Sequence, residues 1–290
     1  MKKSARMMLA VSMAIFGTLA PFVRRIPVSS GELALYRAVM AAVLIGGFLL
    51  VTGQKIELRS IKKELTLLVI SGMAMGMNWI LLFEAYRYTT VSVATLSYYF
   101  APVIVTLAAP VLFKEKLTTK QIVCFVMSTV GLVLVIGVGG FGQGSSDLTG
   151  VLFGLGAAVL YATVILLNKF IKGVAGIQCT FLQFLSAIII LIPYVFSTSG
   201  VTLGGMDAMG WVCLLVVGVV HTGITYCLYF SSLKEIPGQE AAILSYIDPL
   251  VAVVISVTVL GEALTLPQLI GGALILGFTL WNEMKPRKAA

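Results

Sequence analysis

The long apolar segments of this sequence carry a few polar and ionisable side chains at membrane depth. Asp248 and His221, the single histidine, both fall near the middle of their segments. A charged side chain there costs roughly 2.5 to 3.5 kcal/mol, so each one needs a partner, water or a function. We therefore expect Asp248 to bind a cationic group or carry a proton, and His221 to act as a proton-sensitive donor.

Each of these residues also has a structural interpretation. Asp248 could stay protonated and bond to its own helix or to a serine, and a neutral His221 could link two helices by bonding to a carbonyl. Two patterns favour function. Pro249 removes a helical hydrogen bond beside Asp248, and His221, Thr225 and Tyr229 recur every four residues along one helix face.

Aromatic side chains at mid-depth indicate a cavity. Tyrosine and tryptophan normally lie at the headgroup level of a membrane, so those at its centre favour a cavity in which the hydroxyl or N–H group finds a partner. Packing is the alternative for each of them. The residues predicted to bind a substrate are Asn78, Trp79, Tyr98, Tyr99, Tyr161, His221, Thr225, Tyr226, Tyr246 and Asp248.

Arg37 and Glu84 form a second candidate group. They lie at nearly equal depth, about 9 and 7.5 Å from the outer ends of their segments. They could form a gate, or a charge pair that only stabilises the structure. Alternatively, Arg37 could bind a substrate carboxylate while Glu84 pairs with Arg87 three residues later.

The elements that must position these residues are membrane-spanning helices. Hydrophobic residues make up 59% of the chain and charged residues 11%, and the mean hydropathy is +1.04, whereas soluble domains have about 25% charged residues. The pattern predicts an all-α integral membrane protein with ten transmembrane helices. They are predicted near residues 5–23, 31–51, 65–88, 91–113, 119–139, 148–168, 177–197, 208–233, 238–260 and 265–284.

The basic charge of the chain is explained by its topology. The net charge is +8, but ten spans with a cytoplasmic N-terminus place most lysines and arginines on the inner side, as the positive-inside rule requires. We expect a multi-pass protein of the plasma or inner membrane with both termini in the cytoplasm and no nucleic-acid partner. The four cysteines lie in apolar spans without a Cys-x-x-Cys pair, so no disulfide framework, metal or cofactor is expected.

An internal repeat divides the chain into two halves. Residues 94–121 align without a gap with residues 241–268, and the tyrosine, proline and glutamate of the first copy recur in the second. The matched pairs are Tyr99/Tyr246, Pro102/Pro249 and Glu115/Glu262. Five spans in each half would insert the second half upside down, so we predict inverted repeats at 1–143 and 144–290. The glutamates are expected to be caps or loop anchors.

The two halves differ at the predicted site. Arg37 corresponds to Gln183 in the second copy, and Asp248 corresponds to Ala101 in the first. A site between the halves is therefore expected to be chemically asymmetric, with one intramembrane cation in the first half and one carboxylate in the second.

The paired segments FKEKLTTKQ and LGEALTLPQ, each following a proline-bearing helix, resemble the EamA family of the drug/metabolite transporter superfamily. The resemblance covers essentially the whole chain. It implies a cavity lined by spans 3, 4, 6 and 8. Members export amino acids and related metabolites, and wider relatives carry nucleotide sugars, organic cations or sugar phosphates.

These observations predict a secondary transporter rather than an enzyme. The expected substrate is a small polar molecule, with amino acids or amines the leading class, exported or exchanged by alternating access. Protons are the candidate coupling ion, and the protein would be a monomer or homodimer in the lipid bilayer. The alternatives are a membrane enzyme or lipid-handling protein that uses the same cavity, and an organic-cation or drug exporter.

Overall fold

The chain folds into a bundle of helices. The computed structural model describes residues 2–54, 56, 61–113, 117–136, 145–174, 176–233, 235, 236 and 238–284, and these contain helices and turns but no strand. Glu115 and most of the loop after the span predicted at 119–139 lie outside the described residues. The helices of the first half are α1 (Lys2–Gly17), α2 (Leu19–Arg25), α3 (Ser30–Val51), α4 (Leu65–Tyr88), α5 (Val91–Tyr98), α6 (Ala101–Phe113) and α7 (Thr119–Ile136).

The second half continues the helical bundle and includes a π-helical segment at Val216–Ile224. A short 3₁₀ turn lies at Leu203–Gly205. The helices of this half are α8 (Ser145–Asn168), α9 (Gly176–Thr198), α10 (Ala208–Leu215), α11 (Thr225–Leu233), α12 (Gly238–Ser245), α13 (Ile247–Thr258) and α14 (Leu266–Glu283).

The lengths of these helices identify a multi-pass membrane protein. Within the described residues, seven helical stretches are long and apolar enough to cross a bilayer. They cover 3–25, 30–51, 65–88, 91–108, 147–168, 176–198 and 208–233. The spans predicted at 119–139 and 238–260 coincide with shorter apolar helices, and the span predicted at 265–284 coincides with α14.

Two of the predicted spans are interrupted at equivalent positions of the repeat. The first break separates α5 from α6 at Tyr99, and the second separates α12 from α13 at Tyr246. Each break is followed three residues later by a proline, Pro102 or Pro249. Because proline has no N–H group and its ring crowds the carbonyl four residues before it, a continuous helix is disfavoured there. The break expected beside Asp248 is present.

Small residues bring the helices of the bundle close together. A Cβ atom on Gly131 of α7 would lie 2.6 Å from the carbonyl oxygen of Gly271 on α14, so these two backbones pack directly together. Gly17, at the end of α1, faces the backbone of Asp248 in the same way, at 2.6 Å. The first span therefore packs directly against the second break.

Arg24 ties several helix ends together at one end of the bundle. Its Nη1 lies 2.5 Å from Oε1 of Glu262. Its Nε donates to the carbonyl of Tyr86 at 3.1 Å, and its Nη2 donates to the carbonyl of Thr89 at 2.8 Å. One guanidinium therefore joins α2, the end of α4 and the turn that contains Glu262.

Glu262 completes this set of contacts, which we call the Glu262 network. Its Oε2 accepts the N–H of Val91 at 2.8 Å and also the hydroxyl of Ser256. Val91 is the first residue of α5, where helical N–H groups lack partners within the helix. The carboxylate therefore caps the interrupted helix of the first half from the second half, as expected for a loop anchor.

The opposite end of the bundle has its own contacts. Glu64 accepts the N–H groups of Lys172 and Gly173 at 2.8 Å each, Arg6 pairs with Glu240, and Lys120 donates to the carbonyl of Asn282. Glu283 ends α14 on this side. We call the two sides the Glu262 end and the Glu283 end.

Candidate functional site

A cavity of about 470 Å³ lies between the helices of the two halves. Eight of the ten residues predicted to bind a substrate line it: Asn78, Trp79, Tyr98, Tyr99, Tyr161, Tyr226, Tyr246 and Asp248. Arg37 lines it as well. The volume falls within the range of small-molecule sites, and a mostly apolar wall with a few convergent polar groups is typical of such sites.

The cavity reaches the surface at the Glu283 end. Asn168 and Glu283, the last residues of α8 and α14, both line it, and Glu283 is exposed. At the other end of the bundle the Glu262 network joins the helix ends, and Thr95, near the closed end of the lining, is buried. Access to the site is therefore one-sided in this conformation.

A hydrogen bond between the two helix breaks lies at the centre of the site. The hydroxyl of Tyr99 donates to Oδ2 of Asp248 at 2.6 Å. Tyr99 is the C-cap residue that follows α5, and Asp248 lies in the first turn of α13, where the helix dipole favours a negative charge. The bond therefore connects the interrupted helix of one half to that of the other.

Aromatic rings surround this bond. The ring of Tyr98 lies 5.3 Å from that of Tyr161 and 5.9 Å from that of Tyr99, measured between centroids. On another wall, Tyr226 lies 5.2 Å from Phe16. Aromatic faces attract cations, and together with one carboxylate they can hold an ammonium group.

Arg37 lies on the cavity wall with a specific set of contacts. Its Nε donates to the hydroxyl of Thr222 at 2.8 Å, and its guanidinium carbon lies 4.6 Å from the centre of the Trp79 ring. Asn78, beside Trp79, donates its amide to the carbonyl of Ala157 at 2.6 Å. Asn78 therefore also links α4 to α8.

The structure does not bring Arg37 and Glu84 together, so the proposed charge pair is not formed. Glu84 instead lies 3.3 Å from Arg87, three residues later on α4. The face of α4 that meets Arg37 carries Trp79 and Phe83. Glu84 follows Phe83 and therefore points about 100° around the helix from it. Equal depth does not establish that two side chains share a face.

His221 and Thr225 also lie outside the cavity lining, which corrects the predicted polar stripe. His221 contacts the hydroxyl of Thr18 at 3.1 Å and the carbonyl of Val216 at 3.2 Å, and Thr225 donates to the carbonyl of Val220 at 2.7 Å. These carbonyls lie five residues back, as the π-helical segment allows.

The wider turn of the π segment breaks the four-residue periodicity on which the stripe depended. Tyr229, beyond the segment on α11, does line the cavity. His221 instead contacts the hydroxyl of Thr18, between α1 and α2, whereas the carbonyl that it contacts belongs to its own segment rather than to a second helix.

A polar cluster near the open end of the cavity was not predicted from the sequence. Gln183 donates to Ser71 and to Asn168, at 2.7 Å each, and both Gln183 and Asn168 line the cavity. In the sequence, Gln183 is the repeat counterpart of Arg37. Both members of this repeat pair line the cavity, so their alignment in the repeat was the sequence feature that could identify Gln183 as a cavity residue. The part of the chain that the structure describes holds no cluster of potential metal ligands.

The fold and the site together define a helical membrane protein with a central cavity whose few polar groups are arranged asymmetrically. The sequence profile of the EamA-like transporter family matches residues 3–137 and again 148–282. The chain therefore belongs to the EamA-like transporter family, with one copy of the family domain in each half.

Several relatives bear names that agree with this family. A Bacillus subtilis protein named uncharacterized transporter YxxF is 29% identical over 94% of this chain and 88% of its own length. An uncharacterized transporter of Archaeoglobus fulgidus is 32% identical over 69% of this chain and 70% of its own length. A solved crystal structure has a similar fold, with a TM-score of 0.65 and 17% identity over 95% of this chain and 96% of that chain.

The bond between the two breaks can be tested without a substrate. We expect Tyr99→Phe to lower the free energy of unfolding by about 1 to 3 kcal/mol, because it leaves a half-buried carboxylate of the cavity wall without its donor. Tyr98→Phe, whose hydroxyl has no hydrogen-bond partner within the described residues, is the matched control. Thermal unfolding of Tyr99→Phe, Asp248→Asn and the double variant would measure the coupling. Additive effects of the two single changes would contradict the bond.

Proposed function

We propose that this chain is a secondary transporter of the cell membrane that moves a small polar metabolite by alternating access. Amino acids and amines are the leading class of cargo, exported or exchanged. The observation that carries the proposal is a central cavity that is open at the Glu283 end, is closed at the Glu262 end, and contains the Tyr99–Asp248 bond between two interrupted helices. Interrupted helices of this kind form the central sites of many inverted-repeat transporters.

The arrangement of helix ends supports ten crossings in two inverted halves, at 1–143 and 144–290. In that topology the Glu262 end is extracellular, and it collects the contacts of Arg24, Thr89 and Glu262. The Glu283 end is cytoplasmic, and both termini lie on that side. The contacts described above between helix ends, such as those of Arg24, Glu64 and Arg6, each join ends that this topology places on the same side of the membrane.

The contacts that hold the closed end support alternating access. Glu262 caps the N-terminus of α5 from the opposite half, so opening the extracellular side requires this cap and the ion pair with Arg24 to separate. Both contacts lie at the end of the bundle, and the Arg24 side chain is 30% exposed, so water can replace the ion pair as it separates. The exchange between closed and open states then costs less free energy than breaking contacts in the membrane interior would.

Asp248 is the proposed carrier of a coupling proton. It is a carboxylate in the membrane-spanning part of the chain, it faces the cavity, and its hydrogen-bond partner among the described residues is a tyrosine rather than a cation. Such a group can take up a proton or a cationic substrate, but not both at once. Competition between the two would couple proton movement to transport.

An organic-cation exporter is the second candidate. The aromatic rings around Asp248 favour it, because they would hold a cation well. Arg37 on the same cavity wall opposes it by like-charge repulsion. A membrane enzyme is less well supported, because the described cavity lining contains no cysteine, and its residues Thr180 and Ser245 donate their hydroxyls to backbone carbonyls rather than to a base.

Flux measurements test the transport function. Purified protein in liposomes, offered a panel of labelled amino acids and amines, is expected to show uptake that rises with an imposed pH gradient. Asp248→Asn is expected to retain exchange while losing that dependence. Asp207→Asn, which removes an exposed carboxylate that caps only its own helix, is the matched control. Gradient-driven flux that persists in Asp248→Asn would refute proton coupling through this residue. No flux of any probe would refute the proposed cargo.

Labelling of single cysteines in intact cells tests the topology. Val201→Cys, at a position that is 54% exposed near the Glu262 end, is expected to react with an impermeant maleimide. Lys62→Cys, exposed on the opposite side, is expected to react only after the cells are permeabilised. Cys124, Cys179 and Cys213 are buried and give little background. Labelling of Lys62→Cys in intact cells would contradict a cytoplasmic Glu283 end.

A further inference from the structure

Arg37 is a buried cation that forms no ion pair with a described carboxylate. Its side chain lies in the membrane-spanning part of the bundle and the residue is 4% exposed. The ion pairs that the structure describes join other arginines, Arg6, Arg24 and Arg87, to their glutamates. A guanidinium at this depth is costly unless it is paired, so a bound anion that forms a direct ion pair with it would stabilise it.

The contacts of Arg37 leave one edge of its guanidinium available. The Nε atom is used by Thr222 at 2.8 Å, and the flat face is covered by Trp79 on one side. The two terminal nitrogens have no hydrogen-bond partner within the described residues, and the side chain lines the cavity. The edge between these two nitrogens has the geometry that accepts a carboxylate through two parallel hydrogen bonds.

Thr222 fixes the orientation of this edge, and the π segment makes that possible. The hydroxyl of Thr222 donates to the carbonyl of Val217, five residues back, at 2.8 Å. Because the hydroxyl proton is used in this way, only the lone pairs of the oxygen remain, and these accept from Arg37. Toward Arg37, this threonine can act only as an acceptor. Its contact is with Nε, which leaves the two terminal nitrogens of Arg37 available to a ligand.

We infer that Arg37, positioned by Thr222 and stacked on Trp79, binds a carboxylate of the transported molecule. The inference rests on the proposed transport function and narrows its cargo. Arg37 and Asp248 line the same cavity, so a molecule that carries both a carboxylate and an ammonium group would neutralise both residues. Arg37 is then the residue that selects an acid over the corresponding amine, and Thr222 is a positioning residue that does not touch the cargo.

Matched probes separate the carboxylate from the rest of the cargo. The probes are labelled L-leucine, leucinamide and isoamylamine, with the corresponding series from L-phenylalanine, offered to protein in liposomes. Wild type is expected to prefer each amino acid to its amide and its amine by on the order of tenfold or more, as expected when a charged binding group is left unpaired. Arg37→Gln is expected to abolish this preference.

Two substitutions at Thr222 test its positioning role. Thr222→Val removes the acceptor while keeping the shape, and it is expected to raise KM for the amino acid about tenfold while leaving KM for the amide nearly unchanged. Thr222→Ser keeps the acceptor and is expected to restore wild-type behaviour. A purely structural role would change the KM of acid and amide alike, and that outcome would overturn the assignment of Thr222.

Thermal unfolding shows whether the Arg37 variants are folded. Because Arg37→Met removes a buried charge without a described counter-ion, its unfolding temperature without ligand is expected to equal or exceed that of wild type. L-Leucine or L-phenylalanine is expected to stabilise wild type but not Arg37→Met. A large loss of stability in Arg37→Met together with unchanged selectivity in Arg37→Gln would show a structural role and overturn the inference.

The proposed function and this inference fail in different ways. Wild-type flux of amines and amides at the same rate as amino acids would refute the carboxylate site while leaving the transporter intact. If wild type transports none of the six probes, the proposed cargo class is refuted, and the proposed carboxylate site is refuted as well.

Discussion

The hydrogen bond from Tyr99 to Asp248 joins the two points at which the helices of the repeat are interrupted. In a membrane, backbone groups released by a break must be satisfied by protein or by water in a cavity. The two breaks face one another across the cavity. One cavity can therefore satisfy the released backbone groups of both halves. The surrounding tyrosines and Gly17, which allows the first span to approach Asp248, are arranged around this point.

The two charged residues of the cavity come from opposite halves of the chain. Asp248 belongs to the second half and Arg37 to the first, and each faces the cavity with an uncharged hydrogen-bond partner, Tyr99 or Thr222. In contrast, Arg24 and Glu262 neutralise one another at the end of the bundle. Paired charges therefore hold the closed end, while the charges left for a ligand lie inside.

The sequence was sufficient for features that depend on composition, repetition and local chemistry. It predicted the helical membrane class, the family, the break beside Pro249 and most of the cavity lining, because apolar length and proline chemistry act locally. It failed where the outcome depends on helix rotation. Arg37 and Glu84 share a depth but not a face, and the π segment moves His221 and Thr225 away from the cavity. Neither rotation leaves a clear signal in a single sequence.

Alternating access through the Glu262 network is tested most directly by distances across the closed end. Spin labels at Arg25→Cys and Val259→Cys, both exposed positions beside the network, would be measured by pulsed electron paramagnetic resonance in liposomes. Alternating access predicts two populations, one with a short and one with a long distance between the labels. Glu262→Gln is expected to enrich the population with the long distance, and the control Asp207→Asn is expected to leave it unchanged. A single short distance that persists in Glu262→Gln and with amino acids added would contradict it.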